Sequence, residues 1–511
     1  MTSHPDRLIG FEALERGDLD AAEAAARRLI EHGAAGDSAY LLGLVRWTAG
    51  DRETALKLLL DAAASLPGQA EIRHNLAVLL GELGRFADAA AAWREIAERD
   101  PAAAESWLGL AASVEAADGA EAAVAVFEAA LALLPEHRDL LYNFADLRYR
   151  RGEIETAVAL HGRLLARHPE FAPSWLNCAM GLKRLGRFAM AEQFYRRAMA
   201  LPDPRAAVRA EFNLSNLLLL QGRWREGFAA YEARLRLPEA PRPEWGLPRW
   251  TGDEPAGCRV LLWSDQGFGD TILFLRYASA VAERGHRALL FVNDALAALA
   301  ATAPGVEAAR GLSGRWPEAD AQLPLSSLPH VSGIAAPLWS GPYLRAADEH
   351  HRPRASGRKR VGIVWAGNPA QVNDGNRSLA LADFAPLLAL PDIDWHSLQV
   401  GPRAADLAAS PFAARIADLA PTLADFAATA RAMAALDLVI SVDTAAAHLC
   451  GALGRPGWIL LPHVEAYCFW GLDDPRTVWY PSLTLFRQSR PDDWSAEIAR
   501  IASLLGSPGT G

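Results

Sequence analysis

Between Leu438 and Pro462 the chain reads LVISVDTAAAHLCGALGRPGWILLP, which sets an acid, a hydroxyl and an imidazole just past an apolar run. The run stops at Asp443 and Thr444, small residues and His448 continue at helical spacing to Gly454, and a second apolar run follows Pro456; the pattern predicts strand, tight turn, helix, strand. Asp443 suits the cap of that helix, whose free backbone N–H groups would form an anion site at the strand's carboxyl end. Thr444 and His448, four residues apart, share a face of the first turn and are placed to reach a bound phosphate. A capped crossover with a packed histidine fits the same residues, and the segment alone leaves both readings open.

A second segment has similar potential. Val260 to Trp263 reads as a strand and Thr271 to Arg284 as an amphipathic helix, joined by Ser264-Asp265-Gln266-Gly267-Phe268-Gly269-Asp270. Gly267 and Gly269 let backbone approach a ligand, although the loop is only a fragment of a dinucleotide fingerprint.

Asp443-Thr444-x-x-x-His448 resembles the signature of the heptosyltransferase-like glycosyltransferases, family 9, in which this turn holds the diphosphate of a nucleotide sugar. The resemblance implies a GT-B fold of two Rossmann-like lobes, with Gln266, Gly267 and Gly269 on a cleft loop. Gly269-Asp270 matches the Gly-Asp that supplies the family's catalytic carboxylate. Asp270 would then take the proton of an acceptor hydroxyl. As an acid directly before Thr271-Ile272-Leu273 it also suits a helix cap, and Asp265 is the reserve base. The family commonly has a lysine or arginine on the loop after the first strand of its second lobe. Here that loop holds Asn368, Val372, Asn373, Asn376 and Arg377, and Arg377 is the expected phosphate partner.

The implied reaction is a single inverting displacement in which the helix start at Thr444, His448 and Arg377 stabilise the leaving phosphate. The nucleotide sugar is a co-substrate, no cofactor is expected, and no metal is expected because these groups replace it. Asp473-Asp474 is adjacent rather than spaced as in an Asp-x-Asp site. Gln399, at the end of the strand from Trp395, is expected to face base and ribose, and Trp470 lies in an aromatic stretch read as a cleft cover or a packed lid.

These residues need a scaffold. The 511 residues suffice for two or three domains. Prolines at Pro67, Pro101, Pro135 and Pro169 recur every 34 residues, and Gly50, Gly84, Gly152 and Gly186 keep the same period around Asp118. GRFADAA at 84–90 returns as GRFAMAE at 186–192. A period of 34 is that of tetratricopeptide repeats, and about seven helix hairpins in a right-handed solenoid are expected. The fold class is therefore α plus α/β, an all-α solenoid followed by the two lobes. The expected boundaries are 1–237 for repeats, 238–257 for a Pro- and Trp-rich linker, 258–345 for the acceptor-side lobe, 346–359 for an interlobe connection and 360–511 for the nucleotide-sugar lobe.

Asn75, Asn143, Asn177 and Asn213 recur in the first helices of the hairpins, with Gly109 interrupting. Amides so spaced suit an extended peptide backbone, because each donates and accepts. They resemble the asparagine ladder of O-GlcNAc transferase, which implies a protein acceptor; packing and capping are the alternative. Trp107 and Trp175 are expected to pack. The layout is similar to that of bacterial flagellin glycosyltransferases, so the expected product is a sugar on a protein hydroxyl. A cell-envelope saccharide acceptor such as lipopolysaccharide, or a scaffold with a degenerate transferase domain, are the alternatives.

A net charge of −10 argues against general nucleic-acid binding. Cys178, Cys258, Cys450 and Cys468 lack paired or metal-ligand spacing. With no membrane-spanning run and no leader pattern, a cytoplasmic location is expected. Arrays of this kind often pair, so a homo-oligomer is among the expected partners.

Overall fold

The structure, a computed structural model, describes residues 4–334, 336–337, 339–347, 357–371, 374–463, 468–472, 475–491 and 493–507. Most of the expected interlobe connection at 346–359, together with Val372, Asn373, Asp473 and Asp474, lies outside the described residues. The chain forms two compact units, Met1–Leu185 and Gly186–Gly511.

The first unit is a helical solenoid of tetratricopeptide type. Its helices are α1 (Pro5–Glu15), α2 (Leu19–Glu31), α3 (Ala35–Thr48), α4 (Arg52–Ser65), α5 (Ala70–Glu82), α6 (Phe86–Arg99), α7 (Ala104–Asp118), α8 (Ala120–Leu133), α9 (Arg138–Arg150), α10 (Ile154–Arg167) and α11 (Ala172–Arg184). The hairpin turns are set locally. Gly50, Gly84 and Gly152 sit at positive φ just past a helix end. The following N–H bonds back to a carbonyl in the last turn, as Asp51 does to Arg46 and Arg85 to Leu80. Where the glycine series lapses at Asp118, Gly119 takes the left-handed position at φ 92° one residue later. Trp107 and Trp175 are half-buried, and each indole N–H donates to a proline carbonyl six residues back, at Pro101 and Pro169 (3.1 and 2.9 Å). Pro101 and Pro169 thus take part in fixing the entry of their hairpins.

The second unit opens with α12 (Phe188–Met199), α13 (Pro204–Leu220) and α14 (Trp224–Tyr231). Two sheets follow. The first holds β1 (Arg259–Trp263), β2 (Arg287–Val292), β3 (Val306–Gly311) and β4 (Ala321–Pro324) in the order β3-β2-β1-β4, all parallel. It carries α15 (Phe268–Leu275), α16 (Ser279–Glu283), α17 (Asp294–Ala300) and α18 (Leu328–Val331).

The second sheet is built from β5 (Lys359–Val364), β6 (Ile393–Ser397), β7 (Ile416–Asp418), β8 (Leu438–Val442), β9 (Gly457–Leu461), β10 (Arg476–Thr477) and β11 (Tyr480–Arg487). Its order is β10-β11-β9-β8-β5-β6-β7, parallel except for β10. Its helices are α19 (Asp374–Arg377), α20 (Ala385–Leu388), α21 (Asp406–Ala409), α22 (Phe426–Ala434), α23 (Ala445–Ala452) and α24 (Ser495–Gly506). All five residues of β8 are buried, which is why Leu438, Val439, Ile440 and Val442 show no alternation with exposed polar residues.

One core joins α13 and α14 to the sheets. Phe228 stacks on Phe469 at 6.1 Å and meets Phe274 edge-on, and Trp224 meets Trp479 edge-on at 5.2 Å. The Pro- and Trp-rich stretch is pinned to the first sheet. Trp245 packs against Trp263 and Phe291, and Trp250 is fully buried with its backbone N–H donating to the Gln322 carbonyl. The last helix, α24, packs into the core of the second sheet through Ile498 and Ile501. No described helix is long and apolar enough to cross a membrane.

Candidate functional site

β5 and β8 are paired neighbours, Val364 opposite Ser441, so the loops that follow them emerge side by side at the sheet's carboxyl edge. Thr444, not Asp443, is the cap residue of α23, with extended φ and ψ of −143° and 172°. Its hydroxyl lies 3.1 Å from that of Ser441, and the residue is half-buried. Asp443 turns inward, where its Oδ1 accepts the indole N–H of Trp470 at 2.8 Å. This corrects the expectation that Asp443 caps the helix. Its carboxylate anchors the turn from below, and as an anion it would repel phosphate.

Trp470 follows the packed one of its two readings. It is only 2% exposed and stacks on the His448 ring at 4.7 Å, so its place is beneath the turn and not over the cleft. His448 is 3% exposed, with Nδ1 3.0 Å from the Tyr480 hydroxyl. Burial, then the nearby Arg276 cation, pushes its pKa down to about 3, so the imidazole is neutral near pH 7. It is therefore an enclosed neutral ring and not a cation displayed to phosphate.

From the first sheet, the loop after β1 comes to meet this turn. A Cβ on Gly269 would lie 2.9 Å from His448 Cδ2, 3.5 Å from its Nε2 and 3.7 Å from Ala445 Cα. Gly269 is thus a point of contact between the two loops. Asp270 is the third residue of α15, whose cap position is taken by Gly267; it is half-buried and does not serve as the cap. A carboxylate in a first helical turn is favoured by the exposed N–H groups there. Its charge, second to burial, helps hold the Tyr231 hydroxyl well above its ordinary range, so α14 also borders the site. Gln266 is half-buried and Gly267 exposed on the same loop.

Asp265, the reserve base, is consumed. It pairs with Arg234 Nε at 2.8 Å and accepts from the Ser326 hydroxyl and backbone N–H at 2.6 and 3.3 Å. Arg234 donates further to Ser327, Glu232 and the Tyr231 carbonyl. This buried network ties the loops after β1 and β4 to the end of α14, and nothing in the local sequence marks Arg234 as its centre.

Arg377 lies beside the turn after β5. Its Nε is 3.3 Å from Asp374 Oδ1, and a Cβ on Gly367 would meet its guanidinium at 2.7 Å. It stands on the same edge as Thr444 and with its side chain mostly shielded. Asn368 is exposed and turns its Oδ1 to the Ala370 N–H, and Asn376 is half-buried on α19. Gln399 departs from expectation. Its Oε1 accepts from the Trp365 and Ala366 N–H groups, and its Nε2 donates to the Ala366 and Val400 carbonyls, all at 3.0–3.1 Å. The amide braces the turn after β5 and does not face a base or ribose.

Two of the four asparagines, Asn75 and Asn177, make inter-repeat bonds. Asn75 donates to the Tyr40 hydroxyl at 2.7 Å and Asn177 to that of Tyr142 at 3.1 Å, each reaching a tyrosine 35 residues earlier. Asn143 is exposed and donates to the Asp139 carbonyl of its own helix. Asn213 is half-buried on α13, in the second unit.

No protein-family model matches the chain. It is similar to Protein FlbA of Caulobacter vibrioides, 25% identical over 523 residues that cover 95% of this chain and 80% of that protein. It is also similar to human Protein O-mannosyl-transferase TMTC1, 25% identical over 191 residues, covering 36% of this chain and 21% of that protein. Among solved structures, the C-terminal part of a TPR repeat-containing protein from Cytophaga hutchinsonii superposes with a TM-score of 0.39 at 11% identity, over 45% of this chain and 95% of that one.

Proposed function

We propose that the α/β region is a GT-B glycosyltransferase that moves a sugar from a nucleotide-sugar donor to a hydroxyl of a protein acceptor engaged by the repeats, with inversion and without a metal. The observation that carries this reading is the contact of Gly269 with His448, which sets the Asp270 loop of one parallel sheet against the α23 start of the other. That contact supports reading the Asp270 carboxylate and the α23 turn as parts of one site.

In this reaction Asp270 accepts the acceptor proton as oxygen attacks the anomeric carbon. The Thr444 hydroxyl, the first N–H groups of α23 and the Arg377 guanidinium take the leaving diphosphate. Asp443 and Trp470 hold the turn, and His448 holds the opposing loop. The human relative's name supports transfer to protein hydroxyls, over the third of this chain that it matches.

The test is a melting-shift panel of UDP, GDP, ADP and CMP with their sugars, in chelator. A ligand at about a hundred times its Kd adds roughly 2.7 kcal/mol. A shift with one carrier, abolished in Arg377→Ala, supports the donor site. No shift with any carrier overturns it and leaves a scaffold, and sugar on an envelope saccharide in place of protein would redirect the acceptor.

A further inference from the structure

Behind the proposed donor turn, four buried side chains form a continuous polar chain through the second unit's core. Arg276, near the end of α15, donates from Nη1 to the Trp479 carbonyl (2.9 Å), from Nε to the Leu273 carbonyl (3.0 Å) and from Nη2 to the Tyr343 hydroxyl (3.2 Å). Tyr343 donates to the Ile272 carbonyl at 2.9 Å. Tyr480 Oη is 3.4 Å from Tyr343 Oη and 3.0 Å from His448 Nδ1. The guanidinium sits 4.7 Å over the Tyr480 ring and 4.8 Å over that of Tyr343.

Counting protons fixes the direction. The Tyr343 proton is on Ile272, so any bond between the tyrosines must use the Tyr480 proton. At 3.4 Å that contact is long for O–H···O, whereas 3.0 Å to Nδ1 is ordinary for O–H···N. The Tyr480 proton therefore belongs on Nδ1. A neutral imidazole that accepts at Nδ1 carries its own proton on Nε2. Nε2 is the atom that a Cβ on Gly269 would meet at 3.5 Å, so the N–H edge is turned to the loop bearing Asp270.

We propose that Tyr480 is a positioning residue of the transfer reaction, donating to Nδ1 of His448 so that the ring is held as its Nε2–H tautomer against the Gly267–Gly269 loop. The role rests on the transferase reading above; the tautomer does not. Tyr480 touches no reacting atom. It acts by keeping one face of the imidazole, and so the spacing between the Asp270 loop and the Thr444 turn, in a single state. Tyr343 and Arg276 act one step further back, by leaving Tyr480 a single acceptor at good distance.

Long-range ¹H–¹⁵N spectra of ¹⁵N-histidine-labelled full chain, with the signal assigned by its loss in His448→Gln, should show Nε2 protonated and Nδ1 pyridine-like. In Tyr480→Phe the Nδ1 signal should move away from its hydrogen-bonded position, kcat should fall about tenfold and donor KM should stay within about twofold. Tyr343→Phe keeps the Tyr480 donor and should retain the wild-type His448 signals. A protonated Nδ1 in the wild type overturns the assignment without any variant being made. An unchanged kcat in a folded Tyr480→Phe overturns the positioning role. Wild-type protein that transfers no sugar removes the transferase reading and that role with it, while the spectra still decide the hydrogen bond.

Discussion

A Cβ built on Gly269 would stand 2.9 Å from Cδ2 of His448, closer than carbons pack without displacement. The flexible end of a surface chain could yield at that distance, but His448 is stacked on Trp470 and bonded to Tyr480. Gly269→Ala should therefore push the two loops apart, costing about 1–3 kcal/mol of catalytic geometry, or tenfold and more in kcat/KM, with little change in secondary structure. Gly267→Ala is the control. Its nearest neighbour is Asp270 Oδ2 at 3.5 Å, and steady-state kinetics should place it near wild type.

The two acids of the loop should separate cleanly. Asp270→Asn is expected to lose about 10²–10⁴-fold in transfer while melting near the wild type, since the residue is half-buried in a first helical turn. Asp265→Asn should do the reverse in order of cause. It leaves the buried Arg234 charge without its carboxylate, at a cost of about 3–5 kcal/mol in denaturant unfolding, and activity falls only as the fold does. Equal melting of the two variants would show that Asp265 is not the structural member.

Acid should act through two histidines. His448, pushed down to about 3, and His161, buried against Ser174 and pushed down to about 4, are neutral in the folded chain below the pH at which they protonate when unfolded. The unfolded chain then binds more protons, so stability falls as pH drops from about 6.5 toward these values and is unaffected above that range. Each contributes on the order of a few kcal/mol across the window. His448→Gln should flatten the pH dependence of unfolding for the second unit, and His161→Gln that for the first. An unchanged slope in both variants would mean that neither ring is held neutral.

Between repeats, the Asn177–Tyr142 bond should be measurable as a coupling. Asn177→Ala and Tyr142→Phe are each expected to cost about 1 kcal/mol, and the double variant less than their sum, by about 0.5–1.5 kcal/mol. Asn143→Ala removes only an exposed amide bonded within its own helix and should stay within about 0.5 kcal/mol. Loss of acceptor transfer in Asn143→Ala at unchanged stability would mark the exposed amide as the one that meets a peptide.

What the sequence disclosed follows the range of the interactions involved. Hairpin turns were legible because a left-handed glycine and the bonds around it lie within six residues. The β8 turn was legible because strand burial and helix start are local, and only the identity of the cap moved by one, from Asp443 to Thr444. The functions of Asp265, Gln399 and Trp470 were not, because each is set by a partner 27 to 61 residues away in the chain: Trp470 by Asp443, Asp265 by Arg234 and Ser326, and Gln399 by the turn at Trp365 and Ala366. An acid on a glycine loop looks equally catalytic whether or not an arginine 31 residues earlier comes to cover it.

The tyrosine-to-asparagine bonds join residues 35 apart, and the two examples, Tyr40–Asn75 and Tyr142–Asn177, are themselves 102 residues apart, three whole periods. Excising residues 41–142 would leave Tyr40 followed by Asn143, with Asn177 at the same interval from Tyr40 that Asn75 now has. Each junction is thus interchangeable with the other, so that the reach of the array can lengthen or shorten by whole repeats without a new joint having to be invented.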